Sequence, residues 1–181
     1  DRSVNGNGLQ VFGTVTKTAV ATGAELMAYS GFSSSNYLVQ PYNSDLNFGT
    51  GDWAIHCWFK IAAATNTAVL FSWRNVGGQT PFWQIYQTNT TINFDLSDGV
   101  GGGMSISTTY RDDQWHMLTF LARGPSLREA WVDGKLIGSE TTTLSTGVTG
   151  GASHELRVGT HFDGQYPYTG SLALLRVSST A

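Results

Sequence analysis

Apolar residues recur at every second position in this chain, in short runs separated by clusters of Gly, Asn, Asp and Ser. The run Trp53–Ile61 is the clearest example, because its odd-numbered positions are all apolar whereas its even-numbered positions are mixed. A period of two is typical of a β-strand with one buried face. Trp115–Arg123 carries apolar residues on both parities, so we expect it inside a sheet rather than at an edge. The predicted strands are Leu9–Thr14, Glu25–Tyr29, Tyr37–Gln40, Trp53–Ile61, Val69–Trp73, Phe82–Gln87, Thr91–Leu96, Met104–Thr108, Trp115–Arg123, Glu129–Val132, Lys135–Gly138, Glu155–Gly159 and Ser171–Val177.

Turn signals divide these strands. Asp133–Gly134 lies between two apolar dipeptides and predicts a two-residue hairpin turn, since that turn needs residues that accept a positive φ. Gly99–Gly103 and Thr141–Ser153 predict long exposed loops, while Asn43–Asn47 and Gln79–Pro81 predict shorter ones. About a dozen strands at this spacing are typical of an all-β sandwich or barrel. The chain shows no internal repeat and no linker, so residues 1–181 are expected to form a single domain.

Composition and charge exclude several classes of function. Ten Lys and Arg against thirteen Asp and Glu give a net charge of -3, which leaves no basic patch for nucleic acid. No stretch approaches the roughly 18 consecutive apolar residues of a membrane span, so we expect no membrane insertion. A single Cys cannot form an internal disulfide. The chain opens at Asp1 without a signal segment, so we expect a processed product or a domain excised from a larger protein.

Several short motifs follow one another along the chain: Asp45-Leu46-Asn47-Phe48, Trp53–Phe59, Asp113-Gln114-Trp115-His116, Trp131-Val132-Asp133-Gly134, Leu156-Arg157-Val158-Gly159, Tyr168-Thr169-Gly170-Ser171-Leu172 and Leu175-Arg176-Val177. Their order resembles the laminin G-like, pentraxin-like and concanavalin A-like lectin/glucanase superfamily. That resemblance implies a jelly-roll sandwich of two antiparallel sheets with about 12–14 strands in all. The opening segment Asp1–Gly8 is similar to that of the family's bacterial and viral branch, and the sequence also resembles tailed-phage virion proteins.

Catalytic carboxylates are missing from the pattern. Retaining glycoside hydrolases with this fold place two Glu around an Asp at alternating positions of one strand, so that both can act across the scissile bond. The nearest segment, Asn93–Asp98, has Asn93 where the first Glu belongs, and its Asp98 is off the alternation. Asp95 is expected to face solvent from its strand. Cys57 has the core-facing parity of its strand and is expected to be buried and inert. We therefore predict that the domain is not an enzyme.

A structural calcium ion is implied by the resemblance at the opening segment. Asp1, Asn5 and Asn7 supply oxygen donors beside two glycines, and calcium favours several such ligands. The acidic residue that the family carries in its last strand corresponds to Ala173 here, which removes one potential ligand. The alternative is a hairpin stabilised by Asx turns without a metal.

Sugar binding is indicated by aromatic residues that stand beside amides and carboxylates, because sugars offer apolar C–H faces together with hydroxyl groups. One group follows a strand end, a second alternates along a strand, and a third fills the loop before the last strand. In the alternative interpretation, aromatic residues of the loop pack beneath the last strand, and alternation places part of the second group in the core. The candidate ligand-binding residues are Trp73, Asn75, Trp83, Tyr86, His161, Asp163, Gln165 and Tyr166.

These observations predict a non-catalytic glycan-recognition or adhesion module of a bacterial or phage surface protein, located outside the cell or on a virion. The alternative is a structural decoration or fibre domain of a phage virion, whose ligands are neighbouring protein subunits. The two hypotheses differ in geometry. Convergence of Tyr166, Trp83 and Trp73 on one accessible concavity favours a glycan, whereas their separation along a flat side favours a protein interface.

Overall fold

The computed structural model describes residues 6–63, 66–99, 102–107, 110–141, 143 and 147–179. Within them, fourteen strands form two antiparallel sheets of seven strands each, which confirms the predicted all-β sandwich. Sheet A has the order β1 (Gln10–Phe12), β4 (Tyr37–Gln40), β13 (His154–Val158), β6 (Ala68–Asn75), β7 (Phe82–Gln87), β8 (Ile92–Ser97) and β9 (Gly103–Ile106). Sheet B has the order β12 (Lys135–Thr141), β11 (Leu127–Val132), β10 (His116–Arg123), β5 (Trp53–Lys60), β14 (Ser171–Ser179), β3 (Met27–Ser30) and β2 (Thr16–Ala19).

Aromatic rings fill the space between the two sheets. Trp53 of sheet B lies with its ring centroid 5.7 Å from Trp83 and 5.8 Å from Phe94, both of sheet A. The odd-numbered residues from Trp53 to Ile61 are all buried, as the alternation predicted. Strand β10 lies between β11 and β5, inside its sheet, as its two apolar faces required. This packing fixes which face of each strand is left for solvent.

The Asp133–Gly134 turn joins β11 to β12 as predicted. Both residues have a positive φ, 51° and 76°, which is the conformation of the two-residue hairpin turn. The Asp133 carboxylate accepts a hydrogen bond from the Met117 amide at 2.8 Å, so the turn is also tied to β10.

His116 connects this turn to the loop before β10. Its Nδ1 lies 2.7 Å from Asp133 Oδ2 and its Nε2 lies 3.0 Å from Asp112 Oδ1. Since a carboxylate only accepts hydrogen bonds, the ring satisfies both partners as a doubly protonated imidazolium. Partial burial opposes that charge, but the two carboxylates outweigh it and raise the pKa of His116 above its ordinary value.

Two local features differ from the prediction. Strand β2 was not predicted, because Thr16–Ala19 is fully exposed and carries no buried apolar face. Residues Ser44–Leu46 form a short 3-10 helix within a segment predicted as loop, and the Asn43 side chain caps it by accepting from the Asp45 amide at 2.8 Å. In the described part of the chain, no helix has the length and apolar content that crossing a membrane requires.

Replacing His116 by Gln is expected to weaken the pH dependence of stability above pH 6. Because its pKa is raised in the folded state, His116 stabilises the fold fully below its unfolded-state pKa of about 6.5. This stabilisation is lost as the pH rises through the folded-state pKa. We therefore expect the free energy of unfolding, measured in urea, to fall between pH 6 and pH 8 by more in the parent protein than in His116→Gln.

His56→Gln is the matched control, because burial followed by the Arg176 charge lowers the pKa of His56. The contribution of His56 to the stability of the fold has the opposite pH dependence: it is present at high pH and is lost as the pH falls. Equal pH dependence in the parent and His116→Gln would contradict the assignment of the imidazolium.

Candidate functional site

A cleft of about 290 Å³ lies on the outer face of sheet A. Strand β7 supplies one wall, because its odd-numbered residues point into the core and leave Gln84 and Tyr86 on the outer face. The loop that follows β13 supplies the other wall. The cleft is lined by Thr67, Val69, Gln84, Tyr86, His161 and Tyr166, and we call it the outer cleft.

The loop Gly159–Tyr168 is held against β6 by backbone hydrogen bonds. The Val69 amide donates to the Tyr166 carbonyl at 2.9 Å, and the Gly159 amide donates to the Leu70 carbonyl at 2.9 Å. Gly159 has a φ of 87°, and a Cβ there would lie 2.1 Å from the Phe32 ring, so the close approach requires glycine. Tyr168 is fully buried at the end of the loop and its hydroxyl donates to the Lys60 carbonyl at 3.2 Å.

Within the loop, Asp163 organises its neighbours. Its Oδ1 lies 2.8 Å from His161 Nδ1 and accepts from the Gln165 amide at 3.0 Å. Partial burial opposes ionisation of Asp163, but these two hydrogen bonds hold its pKa below the ordinary value. The carboxylate is therefore charged and fixes the orientation of the His161 ring.

Tyr166 presents its ring to solvent at the edge of the outer cleft. It is 49% exposed and has a φ of 51°, a left-handed conformation that is unfavourable for a bulky residue. Strain of this kind concentrates at functional sites, where the surrounding structure holds the residue in place. Here the bonds of the loop to β6 hold it.

Asp95 of β8 gathers the polar groups of the opposite wall. Gln84 Nε2 donates to Asp95 Oδ2 at 3.0 Å. Burial, followed by the nearby Asp95 carboxylate, raises the pKa of Tyr86. The phenol therefore stays protonated beside that carboxylate.

Arg74 of β6 lies beside the outer cleft between two aromatic rings. Its guanidinium carbon is 4.0 Å from the centroid of Phe82 and 5.0 Å from that of Phe162. Its Nε and Nη2 both donate to the Gly78 carbonyl, at 2.9 and 2.6 Å. This arrangement joins the Phe162 part of the loop to the strands beneath it.

The structure brings together half of the predicted ligand-binding residues. Tyr86, His161 and Tyr166 line the outer cleft, and Asp163 holds His161 beside them. Gln165 is exposed on the same loop, where its backbone carbonyl accepts from the His161 amide and the Thr160 hydroxyl.

The other three predicted residues do not line the outer cleft; burial contradicts the assignment of Trp73 and Trp83 to a ligand surface, whereas a ligand contact by Asn75 stays a prediction. Trp73 and Trp83 have no exposed surface; their rings stack in the core with centroids 6.4 Å apart. Asn75 belongs to a turn, since its Nδ2 donates to Ser153 Oγ at 2.7 Å and its Oδ1 accepts from the Gly77 amide at 2.7 Å.

Arg74, Gln84 and Asp95 were missing from the predicted set. Parity alone could have found Gln84, because it shares the parity of Tyr86 on β7, whereas Trp83 has the opposite one. Asp95 lies opposite Gln84 in the strand register. The stacking of Arg74 with Phe162 joins residues far apart in the chain, and no local sequence signal indicates it.

The predicted calcium ligands are only partly described. Asp1 and Asn5 lie outside the described residues. Asn7 Nδ2 donates to Asp45 Oδ2 at 2.9 Å, and Ala173 is buried on β14. No group of three His, Cys, Asp or Glu suited to a metal occurs among the described residues. The described donors do not by themselves form a calcium site, and binding by Asp1, Asn5 and Asn7 stays a prediction.

A larger groove of about 540 Å³ opens where β3, β4, β13 and β14 meet. Its lining is mainly aliphatic, with Lys17 and Glu25 as its charged members. A sugar site needs several convergent polar groups beside an aromatic ring, and the outer cleft meets that requirement better despite its smaller volume.

Comparison with known proteins agrees with this architecture. A family model described as the concanavalin A-like lectin/glucanases superfamily matches residues 32–181. No curated protein matches the chain.

Several solved structures share the fold. The receptor-binding domain of botulinum neurotoxin D is similar with a TM-score of 0.71 and 14% identity, over 98% of this chain and 46% of that one. Domain 4 of AbnA, an extracellular arabinanase of Geobacillus stearothermophilus solved in complex with arabinotriose, is similar with a TM-score of 0.69 and 15% identity. The match covers 98% of this chain and 87% of that one. The binding domain of Paraclostridial Mosquitocidal Protein 1 is similar with a TM-score of 0.69 and 15% identity, over 99% of this chain and 44% of that one. The chain thus spans less than half of the toxin domains that it matches.

Tyr166 and Trp83 are expected to respond oppositely to substitution. Trp83→Ala should lower the free energy of unfolding by about 3–5 kcal/mol, because it opens a cavity in the core. Tyr166→Gly should leave it unchanged or raise it by up to about 1 kcal/mol, because glycine accepts the positive φ without strain. Urea unfolding of both variants checks this. Tyr166→Ala, which keeps a Cβ, separates loss of the ring from relief of the backbone. A loss of more than 1 kcal/mol in Tyr166→Gly would show that the ring stabilises the fold.

Proposed function

We propose that this chain, which belongs to the concanavalin A-like lectin/glucanases superfamily, is a non-catalytic module that binds glycans through the outer cleft. The observation that carries the proposal is the convergence of an exposed tyrosine ring with Gln84, Tyr86 and His161 in a single concavity. Carbohydrate sites combine an aromatic ring for the apolar sugar face with a few fixed polar groups for the hydroxyls.

The polar groups of the outer cleft are held in place before any ligand arrives. Asp95 orients Gln84, and Asp163 orients His161. Fixed side chains lose little conformational entropy on binding, so more of the interaction energy is available as affinity.

The carboxylates near the cleft support a binding role over hydrolysis. A glycosidase needs one carboxyl group with a raised pKa as general acid, and the hydrogen bonds to Asp163 lower its pKa instead. Asp95 accepts a hydrogen bond from the Gln84 amide at 3.0 Å, which occupies it as a structural acceptor.

The similar proteins support the same class of function. Domain 4 of the arabinanase was solved with arabinotriose, and the neurotoxin domains are receptor-binding domains. We extend the proposal to a recognition or adhesion module of a bacterial or phage surface protein, exposed outside the cell or on a virion. Weak single sites in such proteins are strengthened by multiple copies.

A second candidate is a structural virion domain whose ligand is protein. The observation that favours it is an exposed apolar edge, in which Leu9, Val11 and Phe12 lie on or beside β1 at the margin of sheet A. Exposed apolar edge strands are a common surface for contacts between subunits.

A glycan screen distinguishes the two candidates. We expect at least one oligosaccharide or bacterial polysaccharide to bind, and Tyr166→Ala to weaken that binding by about tenfold or more, equal to about 1.4 kcal/mol. Tyr42→Ala is the matched control, since Tyr42 is an exposed tyrosine outside the outer cleft. Equal loss in both variants would place the site elsewhere. A clean negative from folded, multimeric protein would favour the structural candidate.

Calcium binding by the opening segment is a separate part of the proposal. If Asp1, Asn5 and Asn7 hold the ion, millimolar calcium should raise the melting temperature and a chelator should reverse the rise, because a ligand of the native state stabilises it. Asn7→Ala should abolish the shift. An equal shift with magnesium, or no shift with calcium, would contradict a specific calcium site.

A further inference from the structure

We propose that the outer cleft selects neutral sugars and discriminates against anionic ones such as uronic and sialic acids. This inference rests on the proposed glycan-binding function and adds the chemical class of the ligand. It follows from the charge around the cleft, from the bonds that already occupy its cations, and from the direction in which its hydrogen-bond donors point.

Negative charge exceeds positive charge around the cleft. Asp95, Asp163 and Glu155 stand against the two guanidinium groups of Arg74 and Arg157 on the outer face of sheet A and in its loop. Both Asp95 and Asp163 lie near enough to Arg74 to favour its charged form. A carboxylate entering the cleft therefore meets two like charges, Asp95 and Asp163, against the single opposite charge of Arg74, in partly desolvated surroundings.

Both guanidinium groups are already engaged. Arg74 directs two of its donors at the Gly78 carbonyl and is stacked between Phe82 and Phe162. Arg157 forms an ion pair with Glu155 on its own strand and lies over the Tyr37 ring. Recognition of a sugar carboxylate usually employs a bidentate arginine, and neither group is arranged for that task.

The donors of the opposite wall point away from the ligand. Since Asp95 only accepts hydrogen bonds, it determines the orientation of the Gln84 amide, with Nε2 toward the carboxylate and Oε1 turned away. Oε1 is buried and has no hydrogen-bond partner in the described part of the chain.

The Gln84 amide thus offers the cleft an acceptor rather than a donor. A sugar hydroxyl can donate to such an acceptor, whereas a carboxylate cannot. Oε1 has almost no exposed surface, so a hydroxyl reaches it only when the side chains that cover it move outward. Specificity of this kind comes from repulsion of the wrong ligand as much as from attraction of the right one.

Matched ligands that differ only in charge test the inference. Trigalacturonic acid and its fully methyl-esterified form, and a galactose trisaccharide of the same linkage, are titrated into the protein at pH 8 in 20 mM and 300 mM NaCl. We expect the neutral trisaccharides to bind at least tenfold more tightly than the acid in low salt. The ratio should shrink in high salt, because salt screens the repulsion.

Asp163→Asn should reduce the ratio of the affinity for the neutral trisaccharides to the affinity for the acid, because the substitution removes one repelling charge. The asparagine keeps an oxygen that accepts hydrogen bonds from His161 and Gln165. Asp113→Asn is the control, because Asp113 is an exposed carboxylate that pairs with Lys60 of sheet B. The affinity ratio measured for Asp113→Asn should match that of the parent protein. Equal or tighter binding of the acid would overturn the selectivity while leaving glycan binding intact. Failure of all three ligands, and of a wider neutral panel, would overturn the proposed function and this inference with it.

Discussion

The packing of aromatic rings between the two sheets determines where every other side chain lies. Trp53, Trp73 and Trp83 contact one another or their neighbours in the interior, and none can leave it without opening a large cavity. Because a strand alternates strictly, burial of Trp83 places Gln84 on the outer face of sheet A. The outer cleft is therefore a direct consequence of the core.

The loop after β13 converts that outer face into a concavity. Backbone bonds to Val69 and Leu70 seat it beside β6, and the stacked guanidinium of Arg74 holds its Phe162. The loop keeps Tyr166 in an unfavourable left-handed conformation that presents the ring to solvent. Rigid strands on one side and an anchored loop on the other are the usual arrangement of a binding site on a β-scaffold.

Sequence reasoning predicted what depends on local pattern. The Asp133–Gly134 hairpin, the interior position of β10 and the two-sheet sandwich all follow from alternation and turn chemistry. Strand β2 carries no such pattern and forms only because β3 offers it an open edge. Trp73 and Trp83 were assigned to the ligand surface on residue type, although parity already separated Trp83 from Tyr86. The grouping of Arg74, Asp95 and the loop depends on strand order, which a single sequence does not reveal.

Nuclear magnetic resonance mapping of a bound oligosaccharide tests the central claim most directly. Backbone amides of residues 161–166 and of β7 should shift on titration, together with the Gln84 side-chain amide, while the indole signals of the buried Trp73 and Trp83 should move less. Shifts confined to the exposed edge around Leu9, Val11 and Phe12, or to the opposite face of sheet B, would contradict the assignment of the outer cleft as the binding site.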